Sequence, residues 1–432
     1  MFTVDLIAVG NEVLYGEVAD TNSSYLAARL FENGLDVGRH VTIGDDIASI
    51  VGELRRSLET SQAVIMTGGL GPTPDDRTRE ALAELTQKPL EPLPELVERI
   101  RQIFVKRGIP MPEVNLRQAR IPAGATYIPQ KLGTAPGIIV EVDSARVYAL
   151  PGVPHEMREM FERVVLPDLL ERSDGGSEVA VKVLKIWGLS ESALASQLGD
   201  LERALSAQAT DCGATLDIAY LPTLTELRLK VVCRSEEGRL GACKQLVDEA
   251  TQEIRQRLGD NVFGEDDESL VEILDRLVRQ KGLTLCCAES LTGGMVGETI
   301  TRLPGVSTWF KGSAVTYWAE AKQRILGVPK QVIDEDGVVS ARCAEEMAEG
   351  ARKLFHADIG IACTGEAGPK PQEAEVGQVY MAVVTPEGRR SIGVRLPGDR
   401  ERIRTYTTTS LLDFTRRYLA ATTLSRDATR DN

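Results

Sequence analysis

The sequence predicts an α/β protein in three parts: a parallel-sheet domain over residues 1–171, a small α+β domain over 178–262, and a second α/β domain over 266–422. Three observations carry that prediction. Strand-like and helix-like segments alternate near both ends of the chain. Glycine-rich turns follow strand-like runs at residues 67–71 and 288–294. The composition, 42% hydrophobic and 26% charged over 432 residues, is that of a globular chain with length for about two to four domains.

The elements follow in order. Residues 6–9 are an apolar run suited to a buried strand. Asp20, Thr21 and Asn22 offer helix caps, and Tyr25, Leu26, Leu30 and Phe31 continue a helical stripe that stops at Asn33 and Gly34. Residues 37–43 suggest a second strand, Ile47, Ile50, Val51 and Leu54 a helix, and residues 63–67 a third strand. That β-α-β-α-β order implies a parallel, helix-covered sheet. Leu96, Val97, Ile100, Ile103 and Phe104 share one helical face. Residues 138–142 and 146–150 form a hairpin about Asp143 and Ser144, and Pro154 opens a helix reaching about residue 171. The polar, glycine-rich stretch 172–177 is expected to be a linker.

In the middle part the pattern gives strands at 179–186 and 226–233 and helices near 191–198 and 240–258. Glu265, Asp266, Asp267 and Glu268 are expected to form the first turn of a helix with the stripe Leu270, Val271, Leu274, Leu277 and Val278, where carboxylates suit the dipole. The last part alternates again: strand 283–287, a helix from Gly293, strand 314–318, helix 341–355, strands 359–363, 379–384 and 392–396, and helix 400–418. The two large domains show no mutual similarity, so they are expected to be fused partners.

A net charge of −14 repels phosphate backbones and anionic lipid, so small molecules are the expected partners, without nucleic acid or membrane. Seven cysteines with no C-x-x-C pair predict reduced, mostly buried thiols, and the N-terminal apolar run is interrupted by Asp5 and has no basic leader. A cytoplasmic location is expected. The three histidines have no metal-ligand spacing, which leaves carboxylates or lysines to act as general base.

In the first domain, Gly68, Gly69, Leu70 and Gly71 follow a strand and precede Pro72, Thr73, Pro74, Asp75, Asp76, Arg77 and Thr78. Such a turn lets backbone N–H groups approach a phosphate, and two adjacent carboxylates can hold a hard divalent cation beside it. On these residues alone, capping of the next helix by Asp75 or Asp76 is the favoured reading. The run from Thr67 to Ala81, with Gly10, Asn11 and Glu12, the segment from Gly16 to Asn22, and the segments 133–137 and 151–157, resembles the molybdopterin-binding (MoaB/MogA-like) fold as it occurs in the CinA family. The resemblance covers the whole first domain. It implies a metal-dependent ADP-ribose pyrophosphatase, with Glu12, Asp20, Asp75 and Asp76 positioning a divalent ion, magnesium or cobalt, and Thr67, Gly68, Gly69, Gly71 and Thr78 contacting substrate. Asn11 stands where the family often has aspartate, and Gln130 where it often has asparagine. His155, beside Glu156, is either a ligand or base or a helix-start residue.

In the last domain, Ser290 lies on a strand-to-helix turn with Thr292, Gly293 and Gly294. On the residues alone it is the favoured nucleophile, with helix capping or phosphate contact as equal readings. Lys322 is a chemically suitable base if desolvated, with Tyr317 to relay a proton or orient it. On the residues alone a structural role is the favoured reading for that pair, because surface lysines are common. The ordered segments around Ala288 to Gly294, Gly305 to Phe310, Val315 to Lys322, Thr364 to Pro369 and Gly398 to Arg404 resemble the CinA C-terminal domain, a nicotinamide mononucleotide deamidase. The resemblance implies Ser307 as nucleophile, Lys322 as base, and Tyr317, Thr364 and Arg404 in support, with Ser290, Thr292, Gly293, Gly294 and Gly365 near substrate and no cofactor. Leu291 replaces a cysteine common in the family, and Lys370 with Pro371 replaces a glycine-rich stretch. The expectation is a homodimeric salvage hydrolase acting on nicotinamide mononucleotide and ADP-ribose. A pterin-binding first domain and a non-enzymatic competence-associated scaffold are the alternatives.

Overall fold

The computed structural model describes residues 2–173, 177–235 and 240–424. Residues 174–176 of the expected linker lie outside the described residues. The chain packs as two compact units: one runs to Ala180 and includes Ala209–Thr215 and Cys233–Gln245, and the other comprises Val181–Gln208, Leu216–Val232 and the chain from Leu246 onward.

The first unit is built on strands β1 (Thr3–Val9), β2 (Asp36–Ile43) and β3 (Ala63–Thr67), a short pair β4 (Leu90–Pro92) and β5 (Arg120–Pro122), and β6 (Thr126–Ile128), β7 (Gly137–Val142) and β8 (Ala145–Leu150). Its six-stranded sheet has the order β2-β1-β3-β8-β7-β6. The first four are parallel neighbours, and β7 and β6 add antiparallel at the edge. Both faces are covered, so β3 is buried throughout and apolar over its first four residues: Ala63 and Ile65 pack with Leu26, Leu30 and Phe161, while Val64 and Met66 pack with Ile50, Leu54 and Leu82. Pairing of Ala8 with Thr67, and of Thr67 with Leu150, brings the carboxyl ends of β1, β3 and β8 level. Ligands of open parallel sheets bind at such ends.

The middle segment forms a four-stranded sheet from β9 (Glu178–Ile186), β10 (Ala214–Pro222), β11 (Leu227–Ser235) and β12 (Val262–Glu265), in the order β10-β11-β9-β12. Two features differ from expectation. The helix expected near 191–198 continues as Glu191–Asp211, and β10 was not anticipated although Ala214 and Leu216 alternate with exposed Thr215 and Asp217. The acidic run is not a helix start. Glu265 ends β12 and pairs with Lys182 and Arg255, while Asp266 accepts the Val183 N–H at 3.0 Å. Ser269 caps helix Leu270–Gln280 through a capping box with Glu272.

The C-terminal sheet comprises β13 (Leu285–Glu289), β14 (Phe310–Val315), β15 (Ile359–Gly365), β16 (Gln378–Thr385) and β17 (Gly388–Arg395), in the order β14-β13-β15-β16-β17. β13 is parallel to β14 and β15; the rest is antiparallel. Leu285 and Cys287 face one core with Val296 and Ile300, and Cys286 and Ala288 face the other with Leu326 and Cys343. All seven cysteines are free thiols, six of them buried and Cys212 exposed. Helices Ala319–Leu326 and Lys330–Asp336 were not anticipated. Lys322 on the buried face of the first breaks the apolar stripe that would have announced it. Among the described residues no helix is long and apolar enough to cross a membrane.

Candidate functional site

In the second unit, β13 ends at Glu289 and the chain turns through Ser290, Leu291, Thr292, Gly293 and Gly294 into helix Met295–Thr301. Glu289 is fully buried. One carboxylate oxygen accepts from Thr292 Oγ1 at 2.8 Å and from the Gly294 and Val296 N–H groups at 2.9 and 3.0 Å. The other accepts from the Gly297 N–H at 2.9 Å and Ser313 Oγ at 2.7 Å. A carboxylate at a helix N-terminus satisfies otherwise orphaned N–H groups and the dipole together. Gly294 has φ of 101°, which favours glycine and lets the turn enter the helix. From helix Arg400–Ala421, Arg404 grips the turn's other side, donating to the carbonyls of Leu291 at 3.1 Å and Thr292 at 2.7 Å.

Lys322 lies opposite this turn and is 1% exposed. Its Nζ is 2.9 Å from Ser290 Oγ, 2.7 Å from the Thr316 carbonyl and 3.4 Å from the Tyr317 carbonyl. Among the described residues no carboxylate pairs with it. Burial lowers its pKa below the usual lysine value, because the ammonium is desolvated without a compensating anion.

The lysine therefore meets Ser290, not Ser307, which corrects the assignment taken from resemblance. Ser307 is exposed on the 3-10 turn Val306–Thr308, and among the described residues no hydrogen bond joins it to Lys322. The reason is register. Glu289 pairs with Val315 across β13 and β14, and the Thr316 N–H donates to the Glu289 carbonyl at 2.8 Å, so residues just past each strand lie side by side. The helix that starts at Ala319 then carries Lys322 back onto Ser290.

The supporting residues are arranged differently from expectation. The Tyr317 ring is exposed and its hydroxyl accepts from Arg400 Nη2 at 2.8 Å, so it contributes to Lys322 through its main chain. Thr364 is buried and its hydroxyl already donates to the Val338 carbonyl at 2.6 Å. Gly365 pairs with Val379 inside the sheet, where a side chain would collide with the Gln378 carbonyl. Arg404 is engaged with the turn itself, as a positioning group.

In the first unit a cleft of about 490 Å³ opens at the carboxyl ends of β1 and β3. Thr67, Gly68, Gly69 and Gly71 line it, together with Glu12, Asp20, Asp75 and Asp76. Gly68 has φ of 101° and its Cα lies against the Val9 carbonyl, leaving no room for a side chain. Two of the loop's N–H groups are already used: Gly68 donates to Leu150 O at 3.0 Å and Gly71 to Asp76 Oδ1 at 2.8 Å. Thr78 is fully buried with its hydroxyl on the Gly68 carbonyl, so it shapes the loop from behind. Arg79, 2% exposed, donates to the carbonyls of Leu70 at 2.6 Å and Gly71 at 2.7 Å.

The carboxylates divide by use. Asp20 caps helix Thr21–Glu32 through the Ser23 N–H, and Asp76 holds the N–H groups of Gly71 and Thr73. Neither Asp75 nor Asp76 caps helix Thr78–Thr86, whose N-cap is Arg77. Asp45 and Glu156 also line the cleft and were not anticipated, whereas His155 is exposed on the start of helix Pro154–Met160. Burial, followed by the charges of Glu12, Asp75 and Asp76, pushes the Asp45 carboxyl upward, and burial does the same to Glu156. Among the described residues no three histidine, cysteine or carboxylate side chains come together to hold a metal ion unaided. The crowding of Glu12, Asp45 and Asp75 instead fits an ion held by one or two carboxylates and completed by phosphate oxygens, as magnesium often is.

Over 96% of its length the chain is 40% identical to a CinA-like protein from Dictyoglomus thermophilum, covering 98% of that protein. The chain belongs to the CinA family. A second CinA-like protein, from Geobacter metallireducens, is 39% identical over 96% of this chain and 98% of its own. Residues 5–171 match a probable molybdopterin binding domain, 181–264 the damage-inducible protein CinA KH domain, and 267–419 the CinA C-terminal domain. The crystal structure of a CinA protein of unknown function from Thermoplasma acidophilum is 34% identical and covers 39% of this chain and 97% of that one, with a TM-score of 0.36. For this CinA-family chain the α/β class holds: a MoaB/MogA-like sheet domain, a middle domain and a C-terminal α/β domain. Glu289 lay inside a recognised segment yet was passed over. Its only signal was a carboxylate closing an apolar strand, where a solvated end is the ordinary reading.

Proposed function

We propose that the C-terminal domain is an amidohydrolase that converts nicotinamide mononucleotide to nicotinic acid mononucleotide and ammonia, with Ser290 as nucleophile and Lys322 as general base. The observation that carries this reading is the buried, carboxylate-free Lys322 amine 2.9 Å from Ser290 Oγ. A neutral amine has two N–H donors and one lone pair. The carbonyls of Thr316 and Tyr317 take the donors, which leaves the lone pair for the Ser290 hydroxyl proton.

Ser290 Oγ attacks the carboxamide carbon as Lys322 takes its proton. The N–H groups of Leu291 and Thr292 have no partner among the described residues and are the donors assigned to the resulting oxyanion in this reading; such donors contribute about 10²–10³ in rate. Arg404 fixes the direction of the Thr292 N–H, because the Leu291 carbonyl that it holds belongs to the same trans peptide, while the Leu291 N–H shares its peptide with the Ser290 carbonyl, which accepts from the Gly293 N–H at 3.1 Å. Collapse breaks the C–N bond, Lys322 returns its proton to departing ammonia, and water activated by the same amine hydrolyses the acyl-serine. Ammonia release that persists in Ser290→Ala would end this assignment.

For the N-terminal domain the reading is hydrolysis of ADP-ribose to AMP and ribose 5-phosphate. One or two of the carboxylates of Glu12, Asp45 and Asp75, together with the substrate's own phosphate oxygens, would hold a divalent ion that supplies charge neutralisation for the diphosphate. The N–H groups of Gly69 and Leu70, without a partner among the described residues, would orient a phosphate, and Arg79 keeps that loop in shape. The match to a probable molybdopterin binding domain favours one second reading, pterin binding in the same cleft. Product analysis with ADP-ribose, with and without chelator, separates them: chelator-sensitive AMP formation supports hydrolysis, and pterin binding without cleavage supports the other.

A further inference from the structure

Two of the side chains that line the N-terminal cleft, Asn22 and Gln118, each carry a buried amide oxygen with no hydrogen-bond partner among the described residues. Asn22, 9% exposed, lies in the first turn of helix Thr21–Glu32, and Gln118, 2% exposed, in the 3-10 turn Glu113–Ala119. The hydrolysis proposed for this cleft uses neither. A buried acceptor without a donor is destabilising, and folded proteins leave few of them.

Both amides are held in one orientation. Asn22 Nδ2 donates to the Gly152 carbonyl at 2.7 Å, and Gln118 Nε2 donates to the Leu70 carbonyl at 3.3 Å. Only the nitrogen of an amide can meet a carbonyl, so the unpaired atom is an acceptor in both cases. A phosphate oxygen or a cleft carboxylate, itself an acceptor, satisfies neither. The complement is an O–H or N–H group of a ligand. Both anchors belong to the phosphate loop or touch it. Gly152 stands against Gly68, where an added Cβ would lie 3.5 Å from the Gly68 Cα, and Leu70 is in the loop itself. The N–H groups of Gly69 and Leu70 belong to the stretch between these anchors.

We propose that Asn22 Oδ1 and Gln118 Oε1 accept from sugar hydroxyls next to the bound phosphates, so that the cleft selects diphosphates esterified to sugars over equally charged diphosphates without hydroxyls. This rests on reading the cleft as a diphosphate site and adds what chooses among diphosphates. A sugar carries hydroxyls a few bonds from its phosphate ester, within reach of acceptors seated on the phosphate loop, whereas the amino group of a purine base stands a ribose further away. A site with buried acceptors rejects a ligand that lacks the matching donor, because the acceptor then stays unpaired.

The test is calorimetric titration of the full chain, with calcium as the divalent ion, against ADP-ribose and against symmetrical dimethyl diphosphate, a diester of the same charge without hydroxyls. Gln118→Met and Asn22→Leu should each weaken ADP-ribose at least about tenfold and dimethyl diphosphate less than about threefold, and either variant decides alone if the other does not fold. Gln118→Glu keeps an acceptor in place, so its charge should weaken both ligands while the preference between them stays within about threefold of the parent. Product analysis of the same samples separates this proposal from the hydrolysis reading. The expected preference without AMP formation would fail the hydrolysis and leave the recognition standing, and AMP formation with unchanged affinities in the variants would do the reverse. Equal weakening of both ligands, which would assign the amides to the loop's own shape or to the water shell of the ion, also overturns the proposal. So does a preference lost as fully in Gln118→Glu as in Gln118→Met, or no saturable binding of ADP-ribose by the parent.

Discussion

Glu289→Gln is the sharpest perturbation of the Ser290 turn, because it keeps shape and removes only the charge and half the accepting capacity. The amide oxygen can replace the carboxylate oxygen that serves Thr292, Gly294 and Val296. The amide nitrogen then faces the Gly297 N–H and Ser313 Oγ. Serine can rotate and accept, but the Gly297 N–H is left against another donor. One orphaned buried donor costs about 1–3 kcal/mol, and three bonds reduced from charged to neutral lose about 0.5–1 kcal/mol each. The expected loss is about 3–5 kcal/mol, with ammonia release falling at least tenfold as the turn loosens. Trp187, Trp309 and Trp318 are the chain's three tryptophans, and all lie in the second unit, so urea unfolding followed by tryptophan fluorescence reports on it. A midpoint shift worth less than about 1 kcal/mol with activity intact would refute the view that this carboxylate organises the turn.

Other expectations follow from the same geometry. Ser290→Ala should lower nicotinamide mononucleotide deamidation by at least about 10³-fold, whereas Ser307→Ala should stay within about tenfold of the parent; equal losses would mean that the exposed serine also takes part in the reaction. Burial lowers the Lys322 pKa, so the amine is protonated and inactive at low pH and the acidic limb of kcat/KM should lie below the ordinary lysine range near 10.5. The stability sign agrees: the unfolded chain binds the extra proton between the folded and unfolded values, so stability contributed by this site rises with pH across that window and the rise should vanish in Lys322→Met. Arg79→Met leaves the Gly71 carbonyl without its donor and the Leu70 carbonyl with only the 3.3 Å bond from Gln118 Nε2, and a loss of about 1–3 kcal/mol with a raised KM for ADP-ribose is expected by denaturation and product assay.

Much of the fold was legible because burial imposes periodicity. β3, apolar from Ala63 to Met66, announced a central strand of a covered sheet, and the turn at Gly68 and Gly69 marked its carboxyl end. What failed were the places where a charged side chain stands on a buried face for a reason outside its own element. Lys322 hid the helix Ala319–Leu326, and Glu289 passed as a strand end. Asp45 and Glu156 were missed because each reaches the N-terminal cleft from a loop or helix start remote in sequence. The choice between Ser290 and Ser307 could not be settled by motif order. It depended on the register between β13 and β14, which a sequence does not display.

That register also explains how an acid and a base can be neighbours in this site without neutralising each other. Side chains alternate along a strand, so Glu289 follows Cys287 toward the core containing Val296 and Ile300, while Ser290 follows Ala288 toward the core containing Leu326 and Cys343, where Lys322 stands. Had the carboxylate pointed the other way, an ion pair would favour the protonated lysine and remove the base. Instead Glu289 is satisfied by five protein donors on its own side of the sheet, and Lys322 is left with two carbonyls and a serine. The same strand thus anchors the turn with a charge and keeps that charge away from the amine, so a single-residue slip of β13 would destroy both functions together.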